Sequence, residues 1–291
     1  MLDRSVVGSL ELGDLPRRWR KLEYLQRRAN AVSESSPPQI TRSQVDESRV
    51  GGHRLYAGVE RALGAAEDCN LALQSLLQHH GATQTAMWAL LRTQLEAAFW
   101  ALWPIDPEDS SQRVLRGIRV EWRDDRQSMT YFREFAEDRS FPFVDSDRRK
   151  AREQAADTNA STYRAEAAAN GESWRAPPNI IITDELTRLS QIQEPGWGSM
   201  LRGTWRSLAG LQHGSAGALL RVSDQVPLEP IAGGSRILIS PADEAFHLLA
   251  SPTVILHMAA LARFIECHQP IAGRAVDLGE VQRQRAFWNS L

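Results

Sequence analysis

The segment from Thr83 to Trp103 constrains the fold more than any other part of the chain. Large apolar side chains recur all round the helix that this segment would form, namely Met87, Trp88, Leu90, Leu91, Leu95, Phe99, Trp100 and Leu102. A helix without a polar face must be covered by other helices, because its surface would otherwise be apolar in water. Arg92, Gln94 and Glu96 keep the run short of the roughly 18 apolar residues that a membrane span needs. The segment therefore predicts the central helix of a bundle.

Apolar residues recur at helical spacing on both sides of this segment, and start and stop signals give approximate bounds. The pattern predicts an all-α, multi-helix bundle of roughly eight helices. Its helices are expected near residues 14–32, 53–80, 83–103, 109–139, 145–171, 183 onward, 199–211, 243–268 and 278–288. Pro252 is expected to kink or break the last long helix. A small β-hairpin is predicted over 226–239, around Gly233 and Gly234.

The domain organisation follows from the same pattern. Residues 1–291 are expected to form a single helical-bundle domain. Within it, residues 33–52 are polar and contain two prolines, which indicates a linker. Residues 145–178 are charged and rich in alanine, with Tyr163 as the large apolar anchor of the predicted helix, and we expect this segment to be solvated and partly mobile.

Charge, cysteines and the absence of known motifs count against several classes of protein, among them secreted proteins, nucleotide-dependent kinases, dinucleotide oxidoreductases and α/β-hydrolases. The formal net charge of −2 gives no general electrostatic argument for a nucleic-acid or membrane partner. Cys69 and Cys267 stand far apart in apolar, helical stretches, which is typical of free thiols in a reducing compartment. The first residues include acids and no signal-peptide pattern, so we expect a cytoplasmic protein. The sequence has no phosphate-binding glycine loop, dinucleotide fingerprint or hydrolase elbow.

A metal site is not expected either. Glu244 and His247 have the Glu-x-x-His spacing that di-iron helical bundles use. Such bundles need a second pair of this kind, and the sequence has no other Glu-x-x-His. No cofactor is therefore predicted.

Arg92 and Glu96 form the first candidate site. They lie one turn apart on the most apolar helix, so their side chains meet. A buried ion in such surroundings must be paired, because an isolated one costs several kcal/mol. One interpretation is a salt bridge that sets the helix register. The other is the polar floor of an apolar pocket that binds a small molecule.

The second candidate site lies in the helix predicted from 199. Arg206 and His213 are seven residues apart, almost two helical turns, and Arg202 lies one turn before Arg206. All three side chains would then share a face. A guanidinium beside an imidazole can cleave RNA without a metal: histidine moves a proton, and arginine stabilises the charge that develops on phosphorus.

The spacing Arg206-x6-His213, with polar Ser207 directly after the arginine, resembles the Arg-x(4–6)-His motif of the HEPN superfamily. The layout also resembles bacterial helical families that combine an Arg-x3-Glu helix, here Arg92 to Glu96, with a later His-Gly segment. The resemblance implies a helical fold and a metal-independent endoribonuclease acting in a toxin or phage-defence role. It further implies a homodimer in which both copies of Arg206 and His213 meet at one cleft, with Arg202 and Ser207 in the binding surface.

Arginine stripes and tryptophans are the remaining signals. All but two of the Lys and Arg residues are arginine, which reflects either base composition of the gene or bidentate recognition of phosphate. Basic residues crowd the first helix, and four more step along the helix predicted over 109–139, at Arg116, Arg119, Arg123 and Arg126. Acids interleave with that second stripe, at Glu121, Asp124 and Asp125, so an ordinary solvated surface is favoured over a phosphate-binding one. Of the nine tryptophans, Trp88, Trp100, Trp103 and Trp122 fall on apolar stripes and are expected in the core.

Two further functions stay open beside RNA cleavage. The chain could be a non-catalytic helical interaction or scaffold protein whose Arg206 and His213 serve packing. It could also be a small-molecule-binding bundle with Arg92 and Glu96 beneath an aromatic-lined pocket. The sequence alone does not decide whether the protein is an enzyme.

Overall fold

The computed structural model describes residues 10, 12–34, 40–50, 54–137, 146–192, 195–231 and 234–271. Within these residues the chain forms ten α-helices and a two-stranded antiparallel hairpin. The helices are α1 (Leu15–Ser33), α2 (Arg42–Glu47), α3 (Leu55–His80), α4 (Ala86–Ile105), α5 (Ser110–Glu137), α6 (Ser146–Ala169), α7 (Ile182–Glu185), α8 (Trp197–Gln212), α9 (Ala216–Arg221) and α10 (Asp243–His268). The hairpin is β1 (Ser223–Ile231) and β2 (Gly234–Pro241), and a short 3-10 helix, Leu186–Arg188, follows α7. The all-α bundle with a small hairpin is confirmed; the helix expected over 278–288 lies outside the described residues.

The central position of α4 is confirmed. This helix packs against α3, α5, α8 and α10, so neighbours surround it. Trp88, Phe99 and Trp103 are fully buried in it. Burying a large apolar side chain contributes about 1.5–3 kcal/mol, so these rings make α4 a large source of hydrophobic stabilisation in the bundle. Pro104 lies in its last turn rather than just beyond it.

The longest apolar helix beside α4 is α10, which packs against α1, α4 and α8. It runs without interruption through Pro252, so the expected break is wrong. Packing on several sides stabilises both halves of the helix, which outweighs the backbone hydrogen bond that proline removes. Among the described residues, α10 alone has the length and hydropathy of a membrane span, and 83% of its most apolar window is buried inside the bundle.

The segment predicted as a polar linker contains a helix. Thr41 starts α2 with a capping box: its hydroxyl accepts from the backbone N–H of Gln44, whose side chain accepts from the N–H of Thr41. Asp46 is fully buried against α5, where it pairs with Arg113. The linker interpretation is therefore wrong for residues 41–47, because polar residues there are buried through ion pairing rather than left in solvent.

A second, smaller hydrophobic cluster joins α5 to α6. It contains Val114, Ile118, Trp122 and Tyr163. The rings of Trp122 and Tyr163 have centroids 5.8 Å apart, and the Tyr163 hydroxyl donates to Asp125. The role of Tyr163 as the large anchor of the Ala-rich helix is confirmed, since of the described side chains of α6 only Tyr163 and Ala167 are buried.

Candidate functional site

The helix α8 presents one face to the core and the opposite face to solvent. The residues that it buries against the bundle are Leu201, Thr204, Leu208 and Leu211. Arg206 and His213 are both exposed. At 3.6 residues per turn they lie about 20° apart around the helix axis and about 10.5 Å apart along it. Arg202 is half-buried and lies about 40° from Arg206 on the same side. These three side chains, the α8 wall, share one face as predicted.

Ser207 does not belong to the α8 wall. Consecutive helical residues are rotated by about 100°, so its side chain leaves the helix well away from that of Arg206. It is half-buried, on the flank between the solvent face and the core. The binding role suggested for Ser207 therefore lacks the shared face that supports Arg202.

His213 is the C-cap residue, directly after the last residue of α8. Its N–H donates to the carbonyl of Ala209 at 3.2 Å, as in a continuing helix. Gly214 then adopts φ +66°, a left-handed conformation that glycine tolerates at a helix end. The α8 wall consequently includes a histidine beside the helix C-terminus, where the chain turns towards α9.

Arg92 and Glu96 lie beneath α8 and hold it in place. Arg92 pairs with Glu96, and its Nη1 donates to the carbonyl of Trp205 at 2.6 Å. The indole of Trp205 lies over the guanidinium, 3.7 Å from ring centroid to Cζ, and its Nε1 donates to Glu96 at 3.2 Å. Burial lowers the pKa of Arg92 while the Glu96 carboxylate opposes that shift. These contacts, the Trp205 clamp, join α4 to α8.

The Trp205 clamp favours the structural interpretation of Arg92 and Glu96. A ligand on a polar pocket floor would need the space above the guanidinium, and Trp205 occupies that space. The clamp has a second consequence, because Trp205 directly precedes Arg206. Anchoring one residue at the core fixes the direction in which the next one leaves the helix.

A buried ion pair missed by the sequence interpretation joins α2 to α5. Arg113 donates to both carboxylate oxygens of Asp46, at 2.6 and 2.9 Å, and the hydroxyl of Tyr56 donates to the same carboxylate at 2.8 Å. Burial raises the pKa of the nearby Cys267 thiol, which disfavours the reactive thiolate. All four side chains are buried, so we assign them to structure rather than to chemistry.

His257 is a second buried polar group that the sequence did not reveal. It is fully buried in α10, and its Nδ1 lies 3.3 Å from Nε2 of Gln94. Burial lowers the pKa of His257 to about 3, so the imidazole is neutral at pH 7. Its Nε2 has no hydrogen-bond partner in the described part of the chain. This histidine belongs to the core contact between α4 and α10.

Metal ligands and related proteins are the two remaining sources of evidence on function. Across the described residues, no group of three or more His, Cys, Asp or Glu side chains is arranged to hold a metal ion. No protein-family model, curated protein or solved structure matches this chain, so the assignment of function depends on its own residues.

Proposed function

We propose that the protein binds and cleaves RNA without a metal, in the manner of the HEPN-like proteins that its Arg206-x6-His213 spacing resembles. A toxin or phage-defence role follows from the same resemblance. The observation that carries the proposal is the α8 wall, on which Arg206 and His213 are exposed on one helix face. Neither side chain has a hydrogen bond or ion pair among the described residues, so both are free to contact a substrate.

The chemistry is transesterification within the RNA strand. The 2′-oxygen attacks the adjacent phosphorus while the bond from phosphorus to the 5′-oxygen breaks, which leaves a 2′,3′-cyclic phosphate and a 5′-hydroxyl. An imidazole removes the proton from the 2′-hydroxyl, and a second imidazole gives a proton to the leaving 5′-oxygen. The guanidinium of Arg206 stabilises the additional negative charge on the phosphoryl oxygens.

The need for two proton transfers supports a homodimer. One α8 wall carries one histidine at its end, and a second copy facing it would supply the other. The long reach of arginine allows Arg206 to approach a phosphate held between the two walls, although it starts about 10.5 Å along the axis from His213. We therefore propose that the active species is a dimer with the two α8 walls opposed.

The test is cleavage of a single-stranded RNA oligonucleotide in EDTA. We expect products with 5′-hydroxyl ends, and no cleavage of the DNA oligonucleotide of the same sequence, which has no 2′-hydroxyl. His213→Ala and Arg206→Ala should each lower the rate at least about 100-fold, the usual effect of removing an acid–base group or a transition-state donor. Sedimentation of the wild-type protein should show a dimer at the protein concentrations at which the RNA is cleaved.

The matched control is His80→Ala, which removes another exposed histidine at the end of α3. It should cleave at the wild-type rate. Because His213 is exposed, its replacement should shift the melting temperature by no more than about 2 °C, so a loss of activity would not reflect unfolding. Cleavage by His213→Ala at the wild-type rate would refute the assignment of His213 as a catalytic residue. No cleavage by the wild type would refute the nuclease and leave the non-catalytic interaction protein and the small-molecule-binding bundle as the remaining interpretations.

A further inference from the structure

A cleft of about 640 Å³ lies between α5 and the segment 177–180. Its floor is the arginine stripe of α5, with Arg119, Arg123 and Arg126, and its end is formed by Tyr131 and Glu134. We call this cleft the α5 groove. Its volume lies in the range of ligand-binding sites, about 300–1,000 Å³.

Of the three acids that interleave with the arginines in sequence, two lie on another face of α5. Glu121 and Asp125 lie on the side of α5 that faces α3 and α6. There Glu121 approaches Arg54 at 3.6 Å, while Asp125 accepts from Asn159 and Tyr163. Asp124 stays beside Arg123, at 3.3 Å. Glu121 and Asp125 thus lie away from the groove. Its lining contains three arginines and one acid, Glu134.

Two arginines of the groove are held on tryptophan rings. The guanidinium of Arg123 lies 4.0 Å from the ring centroid of Trp100, and that of Arg119 lies 4.9 Å from the ring of Trp103. Arg119 also donates to the carbonyls of Pro178 and Asn179, both at 3.3 Å. Such stacking restrains the flexible side chains before a ligand arrives, which reduces the entropy lost on binding.

The third arginine of the row is available to a ligand. Arg126 is exposed, and its side chain has no hydrogen bond or ion pair with any described residue. From Arg119 to Arg126 the row extends about 10.5 Å along the helix, longer than a single phosphate group. Tyr131 is 56% exposed at the end of the row, where its ring lies near those of Phe132 and Phe135.

From these features we infer that the α5 groove binds single-stranded nucleic acid, with Arg119, Arg123 and Arg126 on successive phosphates and Tyr131 stacked on a base. Guanidiniums recognise phosphate bidentately. A row of arginines that ends in an exposed aromatic ring is the combination that single-strand binding surfaces use. An acidic peptide would satisfy the arginines and leave Tyr131 unused. The inference rests on the proposed function for its ligand, RNA, and assigns that ligand a second surface distinct from the α8 wall.

The test is fluorescence anisotropy with a labelled 12-nucleotide oligouridylate and, separately, oligothymidylate, which the proposed chemistry cannot cut. All oligouridylate titrations use the His213→Ala background. Arg126→Glu should weaken binding about tenfold or more, and it should lower the slope of log affinity against log salt by about 0.7 for each phosphate that the variant no longer neutralises. Tyr131→Ala should weaken binding by about fivefold or more, because one base then has no ring to stack on.

The matched control is Arg27→Glu, the same charge reversal at an exposed arginine on α1. It should bind within about twofold of wild type. Arg123→Glu is the second groove variant, and its melting temperature is measured because it also removes the cation that stacks on Trp100. Equal binding by Arg126→Glu, Arg123→Glu and Arg27→Glu would overturn the inference, as would no binding by the wild type at low salt. Equally tight binding of polyglutamate would reassign the groove to acidic peptides.

The outcomes separate this inference from the proposed function. Binding that depends on the groove, together with no RNA cleavage by the wild type, would retain the groove and refute the nuclease. Cleavage that requires His213 and proceeds with unchanged kcat and KM in Arg126→Glu and Arg123→Glu would retain the nuclease and refute the groove.

Discussion

At the residue scale, the buried polar groups of this bundle include two kinds: ions that have a charged partner, and a histidine that has none. Asp46 and Arg113 compensate each other's charge through two hydrogen bonds, and Arg92 is matched by Glu96 and a carbonyl. His257 is different, because burial without a charged partner keeps it neutral. Paired ions tolerate burial through mutual attraction, whereas an unpaired group tolerates it by losing its charge.

The burial of His257 predicts an acid-sensitive contribution to stability. Its pKa is about 3 in the folded protein against 6.5 when exposed, so the unfolded chain takes up the proton first. The contribution of the neutral His257 imidazole to the free energy of unfolding is complete above pH 6.5 and is lost as the pH falls towards 3. Chemical denaturation between pH 7 and pH 4 should show that wild type loses up to about 3 kcal/mol more than His257→Leu over this range.

Comparing wild type with His257→Leu cancels the contribution of Glu121 to the pH dependence of stability. Burial raises the pKa of Glu121 to about 7, so this residue favours the folded state as the pH falls and acts in the opposite direction. It is present in both proteins and cancels in the difference. His79→Leu, at an exposed histidine, should keep the wild-type pH dependence. A constant difference between wild type and His257→Leu from pH 7 to pH 4 would contradict the prediction.

At the element scale, α8 is positioned by contacts at its start and its middle. Near its start, Gly198 lies so close to the 3-10 helix that a β-carbon would be 2.8 Å from the Cα of Thr187. In the middle, the Trp205 clamp joins the helix to α4. Arg206 leaves the helix between the clamp and His213, so the α8 wall depends on packing that is absent from the motif itself.

Two glycines on α8 provide a matched pair of substitutions. Gly198→Ala should lower the free energy of unfolding by about 1–3 kcal/mol, because backbone atoms of Thr187 would have to move. Gly203→Ala should raise it by about 0.5–1 kcal/mol, since nothing lies within 4 Å of the added carbon and alanine favours the helix. Urea denaturation measures both. Equal effects of the two substitutions would show that α8 does not pack closely on the 3-10 helix.

At the scale of the whole molecule, the described residues pack as two unequal parts. The main cluster surrounds α4 and α10, and the small cluster joins α5 to α6. Apart from α5, α6 is tied to the bundle through Arg54, which donates to Glu166. An element with few buried apolar side chains opens at lower free energy than the core.

Hydrogen exchange should reveal this difference. Amides of α6 should exchange at least about tenfold faster than those of α10, because opening α6 exposes only the small cluster. Trp122→Ala should accelerate exchange in α6 further by removing the ring against which Tyr163 packs. Mass spectrometry of peptides from residues 146–169 and 243–268 measures both rates. Identical protection in the two helices would mean that the bundle opens as one unit.

Helix identity was largely predictable from the sequence, because periodicity and helix ends are local signals. The pattern predicted α1, α3, α4, α5, α6, α8 and α10 with approximate bounds, and it predicted the short helix near residue 183 and the hairpin. It was wrong where a local signal was outweighed by packing. Pro252 did not break α10, and the polar residues of α2 did not form a linker.

The sequence by itself therefore determined which long segments are helical, which helix is central, and that Arg206 and His213 share a face, since each follows from spacing along one helix. Only the tertiary structure decided which groups meet across helices. Asp46 meets Arg113 at a distance of 67 residues in sequence, and Arg92 meets Trp205 at 113. Glu121 and Asp125 of α5 meet partners outside their own helix. The physical reason is that a pattern within one helix defines its faces, whereas the partner of each face depends on how the other helices pack.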